Sequence, residues 1–361
     1  MDVRHPQPTT TAAALGLAAL LLAAGAAGAK TALPPKPKSK ATAGRIEALA
    51  MDGSRVAYDV AAGTGPKARC NAVFVWNVAT GRTVRVSGDQ TCRADSTSTG
   101  AGVSDLGVTG TRAAWVVNQG GNSESDDYLY TSALSKPKER RLASAFRSGD
   151  AGGILAGSWI GGLVGAGRFL AVNRWVTDAK GAVSSARLQT IGVGLRTIAT
   201  GTETMTACST DGNRVAVLRD DGSIGIYSTA GRLLRAVTPA TPTQVALRGD
   251  DLAALTTGDR LEVYNSHSGK LLHRWRVAHG ARSLDVSSGL AAYAAPAAGG
   301  GDSRVVHVLR LATGRDRVLA TTTPQLAAVQ LEAAGLVYAV NPHGPRQNGY
   351  LVFTPMSRLP G

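Results

Sequence analysis

The sequence predicts an all-β protein, a β-propeller most simply built from seven four-stranded blades. Three observations lead there. A short phrase recurs along the chain: a turn, a Gly, two residues, an aliphatic, a small residue and a further apolar residue. Each copy is followed by a second apolar run of strand length, and several of those runs turn through Gly into a third. The composition agrees, with 44 Gly, 3 Cys and only 5% aromatic residues. That profile suits short strands and tight turns better than long helices or a disulfide scaffold.

The 361 residues begin with a stretch of different character. Residues 1–29 hold Arg4 and His5 in a polar start, an apolar Ala-rich run from Ala12, and the small-x-small pattern Ala27-Gly28-Ala29. This is the pattern of a signal peptide cleaved near Ala29, so the mature protein is expected to be secreted or extracytoplasmic. The apolar run is rich in Ala and Gly, and no later segment reads as a membrane span. Residues 30–44, opening KTALPPKPKSK, are dense in Lys and Pro and read as a solvated linker. A single propeller domain is expected from 45 to 361.

The blades follow in order. The phrase appears as DGSRVAY (52–58), TGTRAAW (109–115), AGRFLAV (166–172), DGNRVAV (211–217) and RGDDLAAL (248–255). Two degenerate copies, SSGLAAYA (287–294) and AAGLVYAV (333–340), complete the series. The second runs are NAVFVWNV, DYLYTS, ARLQTIGV, SIGIYST, RLEVYNS, RVVHVLRL and GYLVFT, one for each copy in turn. ATGRTVRV, TAGRLLRAV, HSGKLLHRW and ATGRDRVLA supply hairpins into an outer strand, with Gly providing the positive φ that a tight turn needs. The last blade has no outer strand after Phe353, and the N-terminal stretch near Thr42 is the candidate to supply it.

The phrases MDGSRVAY and STDGNRVAV resemble the repeat of TolB-type and WD-like bacterial propellers, and YNSHSGKLLHRW (264–275) is similar to the repeat of quinoprotein-type propellers. The resemblance implies the fold alone. Asn265 stands where the quinoprotein phrase carries Asp, and most other blades lack its Trp, so no quinone and no other cofactor is expected.

Cys70 and Cys92 flank the hairpin that turns at 79–82, nearly opposite one another. In an exported protein they are expected to form a disulfide worth roughly 3 kcal/mol. Cys208 falls on an innermost strand and reads as a buried, unreactive thiol. The chain has no G-x-S-x-G elbow, P-loop, H-E-x-x-H or C-x-x-C, and its 6 His show no metal-ligand spacing.

Loop lengths carry the functional reading. Connections in blades four and five look tight, at 219–222 and 256–259. Those in blades one, two and three look long, at 61–69, 118–126 and 177–184, and the links at 87–102 and 143–157 are longer still. Loops beyond what a fold requires commonly carry function. The face over blades one to three is therefore the expected binding face, with candidates Arg93, Asp95, Glu124, Asp126, Asp127, Arg147, Asp150 and Trp159. Asn122, Glu124, Asp126 and Asp127 form a weak Ca²⁺ candidate whose spacing departs from a full calcium loop; no other metal site is expected. The alternative is a metal-dependent propeller enzyme of lactonase or lyase type, using Glu47, Asp105, Gln244, Asp285 and Gln330 of the innermost strands.

The formal net charge is +14. Its 30 Arg and 9 Lys are scattered, and the densest group (Lys136, Lys138, Arg140, Arg141, Arg147) lacks interleaved aromatics, so nucleic acid is not an expected partner. The sequence thus points to a monomeric, non-catalytic module that holds an unknown protein or envelope glycan.

Overall fold

A computed structural model describes residues 36–62, 70–88, 100–121, 123–149, 155–297, 303–322, 326–342 and 348–360. Strand β1 (Lys38–Ala41) precedes a first four-stranded sheet of β2 (Leu49–Asp52), β3 (Arg55–Ala62), β4 (Cys70–Asn77) and β5 (Thr83–Arg85). An eight-stranded sheet follows. It runs through β6 (Gly100–Val108), β7 (Arg112–Gly120), β8 (Glu124–Ala133) and β9 (Arg140–Gly149). It continues through β10 (Leu155–Ala166), β11 (Phe169–Thr177), β12 (Val183–Ile191) and β13 (Leu195–Gly201).

Three further four-stranded sheets come next. They hold β14 (Met205–Thr210), β15 (Arg214–Arg219), β16 (Ile224–Ser228) and β17 (Leu233–Val237); then β18 (Pro242–Arg248), β19 (Asp251–Thr256), β20 (Arg260–Asn265) and β21 (Leu271–Arg276). The third holds β22 (Arg282–Ser287), β23 (Leu290–Pro296), β24 (Arg304–Arg310) and β25 (Asp316–Thr322). The last sheet joins β26 (Leu326–Glu332), β27 (Gly335–Val340) and β28 (Tyr350–Pro355) to β1, which pairs antiparallel with β28, Lys38 opposite Phe353. A short 3-10 turn, Met356–Arg358, ends the chain.

Every sheet is an antiparallel meander whose first strand lines one central cavity, which makes the molecule a β-propeller. The N-terminal strand closes the ring by entering the last sheet. Residues 38–41 therefore are not linker: a terminal edge strand needs only its backbone for pairing, and the Lys38 and Ser39 side chains stay exposed. The expectation of separate blades also needs correcting for β9 and β10. They pair through Leu155 with Gly149, Ala156 with Ser148 and Gly157 with Arg147, merging two meanders into one sheet.

The sheets stack face to face, so middle strands are buried on both sides and read as continuous apolar runs rather than alternating ones. All six residues of β27, GLVYAV, are buried, as are Leu290 to Ala295 of β23. Each junction has its own core. Trp115, Tyr130 and Val75 fill the first; Ile46, Tyr58, Trp76, Val337, Leu351 and Phe353 fill the closing one. Full burial of a side chain of this size is worth about 1.5–3 kcal/mol. Closure therefore rests on contacts as apolar as those of any other junction.

A second joint repeats at the rim, where the outer strand of one sheet leans on the Gly turn of the next. Gly231 (φ +87°) sits against Ile198 of β13, where a Cβ would meet the Ile198 carbonyl oxygen at 1.7 Å. Gly314 (φ +68°) lies under the Trp275 ring of β21, whose Nε1 donates to the Leu311 carbonyl at 2.8 Å. The Arg235 Nε of β17 likewise donates to the His267 carbonyl at 3.0 Å. At the ring closure Lys38 of β1 reaches the Val78 and Ala79 carbonyls of the first sheet.

Candidate functional site

The face expected to carry long loops is built largely of strands. β7 and β8 pair out to Gly120 opposite Ser125, so 118–126 is ladder with a turn at its tip. Thr177 and Val183 are paired strand residues, and Asp178 closes the short turn between them by accepting from the Lys180 and Ala182 amides at 2.8 and 2.9 Å. Segment 143–157 is mostly β9 and β10. Ser- and Gly-rich runs lack the apolar alternation that marks a strand, yet their backbones pair as well as any other. Strands β6 to β12 are 9 to 12 residues long. Those of the three following sheets have 5 to 7.

At the merger of β8, β9 and β10 lies a buried polar cluster. Arg147 Nη1 donates to Asp127 Oδ2 at 2.5 Å, and Nη2 donates to Ser125 Oγ at 2.9 Å. Asp127 Oδ2 also accepts from the Ile160 amide at 3.0 Å, and Oδ1 from Asn118 Nδ2 at 2.8 Å. The Arg147 guanidinium stands 3.8 Å over the Trp159 ring, which stacks on Trp175 with centroids 5.8 Å apart and planes 4° from parallel. Trp159 Nε1 donates to Thr177 Oγ1 at 2.9 Å. Cross-strand register puts these residues on one side of the sheet (Ser125 opposite Arg147, Arg147 opposite Gly157, Trp159 opposite Trp175).

This changes what the candidate residues do. Asp127 and Arg147 are buried, with their charges directed at one another, and Trp159 is covered by Arg147 and Trp175. They brace the merged sheet rather than meet solvent. On its opposite side stand Phe146, 50% exposed, and Val176, 37% exposed, with Glu124 exposed and Asp126 half-buried at the β8 end. Phe146 and Val176 escaped sequence reasoning because single apolar residues in strands look like core; only their phase, opposite to Arg147 and Trp175, marks them as outward. Arg93, Asp95, Asn122, Asp150 and Cys92 lie outside the described residues, so the Ca²⁺ candidate and the disulfide do as well.

The central cavity, about 300 Å³, is lined by the innermost strands, including Glu47, Asp105, Ser209, Arg248, Asp285 and Gln330. Most of its polar groups serve the ring. Asp105 Oδ2 accepts from the Gly162 amide at 2.9 Å, Ser209 Oγ from Leu247 at 2.9 Å, and Gln244 Oε1 from Leu284 at 2.7 Å. Asp285 Oδ2 accepts from Leu331 at 2.8 Å. The Asn341 amide clasps the Ile46 backbone at the closure, accepting from its N–H at 2.8 Å and donating to its carbonyl at 2.6 Å. A common device places four of these side chains. The register of the innermost strand slips between Val103 and Asp105, Ala207 and Ser209, Pro242 and Gln244, and Arg282 and Asp285. Such a bulge re-aims the residue after it, here toward the backbone of the next innermost strand.

Burial dominates the titration of the carboxylates: it pushes Asp105 up to about 6 and Asp59 up to about 7, and raises Asp285. It also pushes Glu332 up to about 8, against the opposing pull of Arg248, with which Glu332 pairs. Among the described residues no three His, Cys, Asp or Glu side chains converge on a point where a metal ion would sit. Cys208, on β14, is a free thiol that burial raises to about 11, so it is protonated and unreactive at neutral pH.

The geometry defines the class, a β-propeller with one heightened side and a polar channel stapled by its own side chains. No family model matches the chain, and no curated protein matches it. Among solved structures it is similar to a chain of the mitotic checkpoint complex, at 13% identity over 96% of this chain and 99% of that one, with a TM-score of 0.54. The computationally designed Ika8 protein matches at 15% identity over 87% of this chain and 98% of that one, with a TM-score of 0.44. Identities this low speak to fold alone, and the first likeness agrees with the propeller. Among the described residues no helix is long and apolar enough to cross a membrane.

Proposed function

We propose that this protein is an exported, monomeric, non-catalytic binding module that engages a protein or envelope glycan through the face raised by β7 to β12. The eight-stranded sheet counts as two blades, giving seven in all, of the TolB-type or WD-like repeat grammar. The observation that carries the reading is the brace of Asp127, Arg147, Trp159 and Trp175. A buried ion pair is costly to desolvate and is a weak way to gain stability, but it fixes strands rigidly. Here it lies beneath the surface that presents Phe146, Val176 and Glu124. Rigid multi-strand platforms lower the ordering cost of binding.

The channel-enzyme reading is the weaker one. Asp105 and Asp285 hold the backbones of the next innermost strands, and their ionised forms are disfavoured by burial, so they are poorly placed to ligate a metal. The test is retention of the mature protein on isolated envelope fragments. The variant Phe146→Ser/Val176→Ser/Glu124→Ala is expected to lose at least ten-fold in retention at unchanged thermal midpoint. Unchanged retention would contradict the reading.

A further inference from the structure

Charge in this molecule is sorted by radius. The innermost strands and Glu47, which precedes them, carry Asp52, Asp105, Asp285 and Glu332 against Arg248 and Arg282. The outer strands β1, β5, β9, β13, β17, β21 and β25 carry Lys38, Lys40, Arg85, Arg140, Arg141, Arg147, Arg196, Arg235, Arg274, Arg276 and Arg317. Their one acid is Asp316, which holds His307 at 2.9 Å and the Tyr293 hydroxyl at 2.5 Å. Of the eleven bases only Arg147 is buried, and among the described residues only Arg147 and Arg274 are ion-paired.

The rim joints set a residue of one outer strand against a turn of the next sheet that carries an exposed base. Arg196 Nη2 donates to the Thr229 carbonyl at 3.4 Å, in the turn that leads to Arg232. Arg235 lies against Gly269, next to Lys270, with its Cδ 3.1 Å from where a Cβ would be. Trp275, flanked by Arg274 and Arg276, covers Gly314, next to Arg315. Lys38 closes on the turn that ends at Arg82. Arg232, Lys270, Arg315 and Arg82 are all exposed. A single Lys per edge is enough to discourage edge-to-edge pairing, whereas a band of exposed bases raises a positive field that attracts anions.

We propose that this circumference is a docking belt for an extended acidic polysaccharide, its repeating carboxylates or sulfates meeting the exposed cations at successive joints. The surface is separate from the raised face and does not depend on it. Nucleic acid fits less well, since bases need stacking platforms and the one Trp at these joints, Trp275, spends its ring on Gly314 and on stacking with His273 at 5.4 Å.

The test measures binding of the full chain to polygalacturonate, with neutral dextran and a single-stranded oligonucleotide of matched charge alongside, across a salt series. The belt variant is Arg232→Gln/Lys270→Gln/Arg276→Gln/Arg315→Gln. An off-belt variant, Arg168→Gln/Lys180→Gln/Arg187→Gln/Arg282→Gln, removes the same number of exposed charges, and a third variant with Arg232→Lys/Arg276→Lys/Arg315→Lys keeps the charge. The belt variant is expected to lose at least ten-fold and to flatten the log–log salt slope by roughly 0.7 per lost contact, the value for a flexible single-stranded polyanion. The off-belt and Lys variants are expected to bind as the parent does. Absence of polygalacturonate binding by the parent, equal loss in the off-belt variant, or oligonucleotide binding as tight as polygalacturonate binding would each overturn the proposal.

Discussion

Two halves of one ring solve the same packing problem differently. From β14 to β25 the sheets are short, alike and joined through a repeated rim device, a Gly turn against the previous outer strand. From β6 to β12 the strands are longer, the boundary between meanders is lost to backbone pairing, and a buried Arg–Asp pair under two stacked Trp rings replaces the Gly joint. The regular half shows what closure of the fold requires. Whatever the irregular half adds beyond it is available for function.

Breaking the irregular half should have the largest effect. Arg147→Ala leaves Asp127 buried without its cation and is expected to cost about 3–5 kcal/mol, read as a large fall in the denaturant midpoint. Asp127→Ala should cost as much, and the double variant should cost less than the two singles summed, because the residues are coupled. If both singles were silent, the brace would have no structural role. In the regular half Gly314→Ala forces a Cβ into the Trp275 ring at positive φ and should cost about 2 kcal/mol, with Trp fluorescence reporting the displaced ring. Gln244→Ala removes one channel staple and should cost about 1–2 kcal/mol, since the Leu284 amide loses its acceptor.

A further effect is one of pH. Asp105, Asp59 and Glu332 titrate near 6, 7 and 8, above their ordinary range. Each binds its proton more tightly folded than unfolded, so its contribution is complete below about pH 4 and is lost as pH rises through these values. The thermal midpoint should therefore be several degrees higher at pH 5 than at pH 8.5, and Glu332→Gln should flatten the upper part of that slope. A midpoint that rises toward pH 8.5 would contradict the burial of these carboxylates.

Repeat phrases such as DGNRVAV and RGDDLAAL were legible because a strand buried on both faces has no freedom in composition. The closing strand was legible as a vacancy after Phe353 with the stretch near Thr42 as its candidate, and 38–41 fills it although that stretch is Lys-rich. What escaped was the character of 118–126 and 143–157. Their residues are polar on both sides, so nothing in the pattern distinguishes a ladder from a loop, and length alone suggested the latter. The same blindness placed Asp127 and Arg147 on a binding surface. A charged residue in a polar run reads as exposed, and burial becomes visible only when β10 brings the Ile160 amide and the Trp159 ring to them. Asp105 and Asp285 line the central cavity, while their engagement with the next innermost strand, like that of Gln244, depends on bulges that no periodicity reveals.

Pairing of β9 with β10 makes one braced sheet beneath the proposed binding face. Native-state hydrogen exchange tests it directly by comparing amides of 147–149 and 155–157 with those of the β10–β11 ladder. Comparable protection is expected in both sets, falling together in Arg147→Ala. Exchange of the β9–β10 amides at the rate of exposed turns, with β10–β11 still protected, would contradict it.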